Sequence, residues 1–180
     1  VRQVLDTPVA EGTVQLDADT FLSPGAAEAA LRAAGAGIAA VDAVMSGKAR
    51  RVFCAVRPPG HHATRDTAMG FCFFDSIAVA AAHALDMHGL SRVAIVDFDV
   101  HHGNGTQAIF ERDPRVVVCS SHQLPLYPET GHADERGIGN VFNAPLPPGT
   151  SSEGFRRAWS ETLLPAIDAF APQLPLISAG

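Results

Sequence analysis

The stretch Ile95-Val-Asp-Phe-Asp-Val-His-His-Gly-Asn-Gly-Thr106 joins an apolar run to two acids, two imidazoles and two glycines. The residues before it are apolar enough to predict a buried strand over 92–100. In an extended strand alternate side chains point to the same face, so Asp97, Asp99 and His101 would converge where the strand ends. Open α/β sheets place their functional sites at this edge. The stretch therefore predicts an α/β fold with a site at the end of the strand.

The two carboxylates of this stretch require a cationic partner. Unpaired carboxylates on a buried strand are costly, and a metal ion is the simplest cation to meet Asp97 and Asp99. Oxygen and imidazole nitrogen together suit zinc or another divalent transition ion better than a thiolate site would. A solvated polar turn is the alternative explanation, and the apolar flanks argue against it.

A second group of histidines lies in Arg57-Pro-Pro-Gly-His-His62, after a predicted strand at 51–56. Two prolines and a glycine restrict this backbone, so the paired imidazoles should be held in place. Histidine titrates near neutral pH, and two in tandem can divide base and acid roles if their partners differ.

Four motifs lie along this chain: Pro-Pro-Gly-His-His at 58–62, Gly-Phe-Cys at 70–72, Asp-Phe-Asp-Val-His-His-Gly-Asn-Gly at 97–105 and Tyr-Pro-Glu-Thr-Gly at 127–131. Together, and in this order over nearly the whole chain, they resemble the histone deacetylase family of zinc amidohydrolases. Asn104 resembles the class II branch and its bacterial homologues, which include acetylpolyamine amidohydrolases. The resemblance implies hydrolysis of an acetylated amine, either acetyl-lysine in protein or an acetylpolyamine.

The resemblance also implies a role for individual residues. Asp99 and His101 would bind Zn²⁺, with His62 as general base, His61 as its partner oriented by Asp97, and Asn104 orienting His62. The channel for the substrate would be lined by Gly70, Phe71 and Tyr127. A potassium ion would be held by Asp97, Asp99, His101, Ser120 and Ser121.

Parts of the family's pattern lie outside this sequence. The chain ends at Leu-Ile-Ser-Ala-Gly180, where family members continue with a Phe-Asp that supplies a third metal ligand, and with a later oxyanion residue. It begins at Val1 without the usual amino-terminal elements. We therefore expect residues 1–180 to be a single, partial catalytic domain that is truncated at both ends and inactive alone.

Two alternatives remain open at this point. An arginase-like dinuclear metallohydrolase also places Asp and His at strand ends, and metal stoichiometry would distinguish it. A non-catalytic acetyl-lysine binding module belongs to another class, and an intact downstream sequence would count against it.

Composition points to a cytoplasmic protein, of bacterial type by the resemblance. The chain has 180 residues, 47% hydrophobic residues and a net charge of −6, with no basic patch for nucleic acid and no apolar run long enough for a membrane. Cys54, Cys72 and Cys119 lie in apolar contexts and should be reduced. The oligomeric state is left open.

The elements alternate as in a mostly parallel sheet flanked by helices, the arginase/deacetylase-like arrangement. We predict helices at 23–45, with Ser23-Pro24 at its start, and at 75–87, 105–111 and 152–170, and strands at 51–56, 92–100, 115–120 and 174–178. Residues 125–148 are predicted to be irregular. His83, His88 and His132 lie outside the motifs and receive no role.

Overall fold

The amino-terminal segment of the computed structural model, which describes residues 2–179, forms small elements that the sequence patterns did not indicate. Helix α1 (Arg2–Leu5) precedes a short antiparallel pair, β1 (Val14–Gln15) and β2 (Phe21–Leu22). Val4 and Leu22 pack with Phe73 and Phe74 in a small apolar cluster. This segment therefore covers the loop that follows the tandem histidines.

A four-stranded parallel sheet forms the centre of the fold and confirms the predicted α/β class. Its strands are β3 (Val93–Asp97), β4 (Val116–Gln123), β5 (Val141–Leu146) and β6 (Leu174–Ser178), in the order β5-β4-β3-β6. All three neighbouring pairs are parallel. The central pair β3–β4 is buried almost throughout, which explains the uninterrupted apolar run in its sequence.

Helices cover both faces of this sheet. One face packs against α3 (Ser76–Asp86) and α4 (Asn104–Phe110), and the other against a π-helical turn (Trp159–Leu163) and α6 (Leu164–Phe170). Helix α2 (Ala26–Met45) packs on α3, and α5 (Ser152–Ala158) leads into the π-helical turn. The alternation of small and branched residues on β3 allows this, because Ile95 faces α3 and Ala94 faces Leu163. None of the described helices is long and apolar enough to cross a membrane.

The predicted helices are confirmed, with shifted ends. Helix α2 begins at Ala26 rather than at Ser23, because Gly25 takes a left-handed φ of 80° and acts as the N-cap. At its other end Ser46 is the C-cap, and Gly47 follows with φ 76°. The predicted 152–170 helix is continuous but contains the π turn in its middle.

A strand prediction and a prediction of irregular structure are wrong. Residues 51–56 form no strand, since this extended segment has no neighbour in the described sheet, and Phe53 is 85% exposed. The tract 125–148 is not wholly irregular, because β5 lies within it. Pro145 hides β5 in the sequence, and an edge strand tolerates a proline.

Asp75 connects the start of α3 to α4. Its Oδ1 accepts a hydrogen bond from Ala78 N at 3.0 Å as the N-cap, and its Oδ2 accepts one from Thr106 Oγ1 at 2.8 Å. Burial raises the pKa of Asp75 to about 7, although these two hydrogen bonds oppose the shift. A helix cap is thus a buried acid that titrates near neutral pH.

We expect Asp75→Asn to remove a pH-dependent contribution to stability. The pKa of Asp75 is higher in the folded chain than its usual 3.8, so the folded state binds more protons between pH 4 and 7 and its stability falls as pH rises. An amide does not titrate. The variant should therefore gain at least about 1 kcal/mol in unfolding free energy relative to wild type between pH 5 and pH 8, measured by urea unfolding. A difference that is the same at both pH values would contradict this.

Candidate active site

The turn after β3 is built by its own carboxylates. Asp97 Oδ1 accepts a hydrogen bond from Asp99 N at 3.0 Å, and Asp99 Oδ1 accepts one from His101 N at 2.7 Å. The strand ends at Asp97, so the predicted alternation through residue 101 is wrong. Two successive side-chain-to-backbone turns bring Asp99 and His101 together instead.

Each tandem histidine has its own partner. His61 Nδ1 lies 2.8 Å from Asp97 Oδ2, and His62 Nδ1 lies 2.9 Å from Asn104 Oδ1. The two ring centroids are 4.1 Å apart, and both histidines are buried. The structure therefore brings together all four predicted catalytic residues.

Backbone contacts with the start of α4 position the histidine loop. Gly105 N and Thr106 N both donate to the carbonyl oxygen of His61, at 3.0 and 3.2 Å. A Cβ on Gly105 would lie 2.3 Å from Ala63 O, so a larger residue could not approach the loop this closely. A Cβ on Gly103 would likewise lie 2.6 Å from Asp97 Oδ2, so both glycines of the His-His-Gly-Asn-Gly motif are required for close packing.

The different partners separate the two imidazoles electrostatically. Burial opposes the charged form of His61, but the hydrogen bond and charge of Asp97 outweigh it and raise the pKa of His61. Burial and the neighbouring His61 lower the pKa of His62 to about 4, and the neutral amide of Asn104 compensates only in part. Near neutral pH His62 is therefore an unprotonated base beside a more basic imidazole.

The two predicted zinc ligands lie side by side at the edge of this pair. Asp99 Oδ1 and His101 Nδ1 are 3.1 Å apart, and the His62 and His101 ring centroids are 5.9 Å apart. Ligands on a tetrahedral zinc ion with bonds of about 2.0 Å are about 3.3 Å apart, so this spacing fits a shared metal. Within residues 2–179, no third acidic, His or Cys ligand atom completes a group with them inside 4.8 Å.

The residues of the predicted potassium site lie at the end of β3, in the turn after it and within the neighbouring strand β4. Asp97 and Ser120 are register partners on β3 and β4. The Ser120 hydroxyl is 2.9 Å from His122 Nδ1, and the Ser121 hydroxyl accepts a hydrogen bond from Trp159. Potassium binding at this position stays a prediction.

The residues predicted to line the substrate channel flank His62. Tyr127 lies edge-on to His62, with ring centroids 5.2 Å apart, and 6.4 Å from His101. A Cβ on Gly70 would lie 2.4 Å from the His62 ring, and the next residue, Phe71, has an unusual φ of 64° and a side chain that is 58% exposed. Both aromatics are thus at the surface and not in the core.

A buried pair of histidines behind the site was missed by the sequence analysis. His102 points away from His101 into the interior, where its ring centroid lies 4.7 Å from that of His122. Burial lowers the pKa of both, that of His102 to about 4. Gly131 packs closely against both rings, since a Cβ there would lie within 2.6 Å of each, but no local pattern in the sequence indicates the pair.

Comparisons with known proteins place this geometry in a family. The model of the histone deacetylase domain matches residues 2–180. The histone deacetylase-like amidohydrolase of Pseudomonas aeruginosa is 45% identical over 174 residues, which cover 94% of this chain and 46% of the relative.

Solved structures give the same assignment. The crystal structure of the HDA15 HD domain superposes with a TM-score of 0.90 at 40% identity, covering 93% of this chain and 49% of that one. Acetylpolyamine aminohydrolase from Burkholderia pseudomallei gives 0.84 at 37% identity, covering 90% and 48%. The chain thus spans about half the length of these relatives. It belongs to the histone deacetylase family.

Proposed function

We propose that this chain carries the acid–base residues and part of the metal site of a zinc-dependent deacetylase that hydrolyses an acetylated amine to the free amine and acetate. The observation that carries the proposal is the pair of adjacent imidazoles with unlike partners, Asp97 and Asn104, beside an oxygen–nitrogen ligand pair. Membership of a family with deacetylase and amidohydrolase relatives supports it.

His62 is the principal base in this proposal. Asn104 Oδ1 faces Nδ1 of His62, and the Asn104 amide nitrogen lies 3.5 Å from both His62 O and Met69 Sδ, which supports this amide orientation. The proton is then on Nδ1, and Nε2 is free to take a proton from the attacking water and later give it to the leaving amine. His61, held by Asp97, provides a positive neighbour that keeps His62 unprotonated.

Asp99 and His101 would hold the Zn²⁺. The chemistry that a bound zinc ion supplies is polarisation of the acyl carbonyl and a lower pKa for water. Catalytic zinc sites normally use three protein ligands, and the described residues offer two here. We therefore propose that residues 1–180 form one part of a catalytic domain, that a further ligand and the oxyanion donor come from outside residues 2–179, and that this chain alone is inactive.

The substrate is proposed to be acetyl-lysine in protein or an acetylpolyamine. Phe71 and Tyr127 would pack against the methylene chain that both share. Exposed Glu129 lies on the same loop as Tyr127. Burial is the main cause that raises the pKa of Tyr127 to about 12, and the nearby negative charges of Asp19 and Asp17 add to it. This acidic rim favours a cationic substrate, and the named activity of the Burkholderia relative agrees with that.

The unpaired cysteines support a cytoplasmic location.

We expect His62→Ala in the full-length gene product to lower kcat by about a hundred- to ten-thousand-fold, the usual effect of losing a general acid–base. Zinc content should stay at the wild-type level, because His62 is a base and not a ligand. Assays would use an acetyl-lysine peptide and acetylputrescine, with exposed His132→Ala as the matched control. Loss of zinc in His62→Ala would contradict this role.

Metal content should separate ligands from their neighbours. Asp99→Ala or His101→Ala should abolish zinc binding, because each is a large share of a small coordination shell, whereas Asn104→Ala should keep zinc and reduce the rate. Elemental analysis of the purified variants measures this. Full zinc occupancy in Asp99→Ala would refute the ligand assignment.

Asn104→Asp should shift the pH profile. A carboxylate in place of the amide stabilises protonated His62 and so raises its pKa above the present value of about 4. The acidic limb of kcat/KM should therefore move to higher pH, while the zinc content is unchanged. An unmoved limb would show that another group controls it.

A further inference from the structure

A second group of potential metal ligands lies at the surface, away from the tandem histidines. His83 Nε2 and His88 Nε2 lie 2.7 and 2.8 Å from the same oxygen, Oδ1 of Asp42. The ligand atoms of the three residues all lie within 4.8 Å of one another. Among residues 2–179, it is the one group of three His, Cys, Asp or Glu residues whose ligand atoms are this close together.

The fold brings these residues together from two helices. Asp42 is in the last turn of α2 and His83 in the last turn of α3, while His88 follows the C-cap of α3. Each helix end carries partial negative charge on its last carbonyl groups, which favours a cation. The cluster therefore combines a carboxylate and two imidazoles with the partial negative charge of two helix ends, all of which favour a bound metal ion.

The geometry is close to that of a bound ion. Ligands around a tetrahedral ion with bonds of about 2.0 Å are about 3.3 Å apart, so the imidazoles would need to move away from Asp42 by about 0.5 Å. The side chains of His83, His88 and Asp42 are 17%, 26% and 53% exposed. The three side chains are thus held close together, and they are exposed enough for an ion and its remaining water ligands to enter.

We propose that Asp42, His83 and His88 form a second binding site, for a divalent transition-metal ion such as Zn²⁺, Co²⁺, Ni²⁺ or Cu²⁺. Imidazole nitrogen with one carboxylate oxygen selects this class over Mg²⁺ or Ca²⁺, which prefer oxygen ligands. When the ion binds, it replaces the two imidazole–carboxylate hydrogen bonds and joins the ends of α2 and α3. The site is independent of the proposed active site.

The three methionines of the chain can report on the two sites separately. Met45 follows Asp42 by one turn of α2, and Met87 directly precedes His88. Met69 lies in the active site, with its sulfur 3.5 Å from Asn104 Nδ2. In the full-length gene product labelled with ¹³C at the methionine methyl groups, with these signals assigned by substitution, paramagnetic Co²⁺ should broaden or shift the Met45 and Met87 signals, whatever happens at Met69. Excess Zn²⁺, which binds more tightly than Co²⁺, should restore them.

Three variants test whether these residues are the ligands. Asp42→Asn keeps an oxygen that accepts the imidazole hydrogen bonds, so the helices should stay joined while the metal effect on Met45 and Met87 is lost. His83→Gln with His88→Gln should also abolish it, and exposed His132→Gln is the matched control that should not. Circular dichroism would verify that each variant is folded. The proposal is overturned if Co²⁺ leaves Met45 and Met87 unchanged in the wild type, or if their response survives in the folded Asp42→Asn and double-histidine variants.

Discussion

The buried carboxylate of Asp97 is the group on which the arrangement of the active site depends. One oxygen fixes the turn that carries Asp99, and the other binds the imidazole of His61. Its backbone is held between Ser120 and Ser178 on the two neighbouring strands. A single side chain therefore connects the centre of the sheet to both parts of the site.

This connection also determines the electrostatics. A buried carboxylate without a partner would be costly, and His61 provides that partner by remaining protonated more readily than a free imidazole. The same proton disfavours a second positive charge on His62, only 4.1 Å away between ring centroids. The difference between the two histidines thus follows from one acid that contacts only one of them, with the neutral Asn104 on the other.

The sequence predicted the parts of the fold in which local pattern and tertiary contacts agree. The apolar runs of β3 and β4 are buried strands, and the run of β6 is a partly exposed edge strand of the described sheet. The motif residues meet at the carboxyl end of β3 as expected. Asp99 and His101 were expected to lie together because they alternate along a strand. The structure brings them together through two turns that the Asp97 and Asp99 carboxylates stabilise, so the prediction named the right residues for the wrong reason. Residues 51–56 have strand-like composition, but a strand needs hydrogen-bonded neighbours, which composition cannot reveal.

Long-range pairs were beyond what one sequence can predict. Nothing local links Asp42 to His83 and His88, which are 41 and 46 residues away, so the histidines look like solvated side chains on a helix. His102 is a similar case, since its neighbour His101 faces the site while it packs against His122 in the interior. In both cases the identity of the partner, and not the residue type, decides what the imidazole can do.

The loop at 57–62, which carries the tandem histidines, shows how a site can be positioned although no helix or strand directly precedes it in the sequence. The extended residues 51–56 make no sheet pairing within the described part of the chain, yet His61 and His62 are buried with defined partners. Contacts with the end of β3 and the start of α4 position them instead, through the carboxylate of Asp97 and the backbone amides of Gly105 and Thr106. Because Gly105 permits this contact only by lacking a side chain, the motif after β3 controls the placement of both its own ligands and the bases that face them.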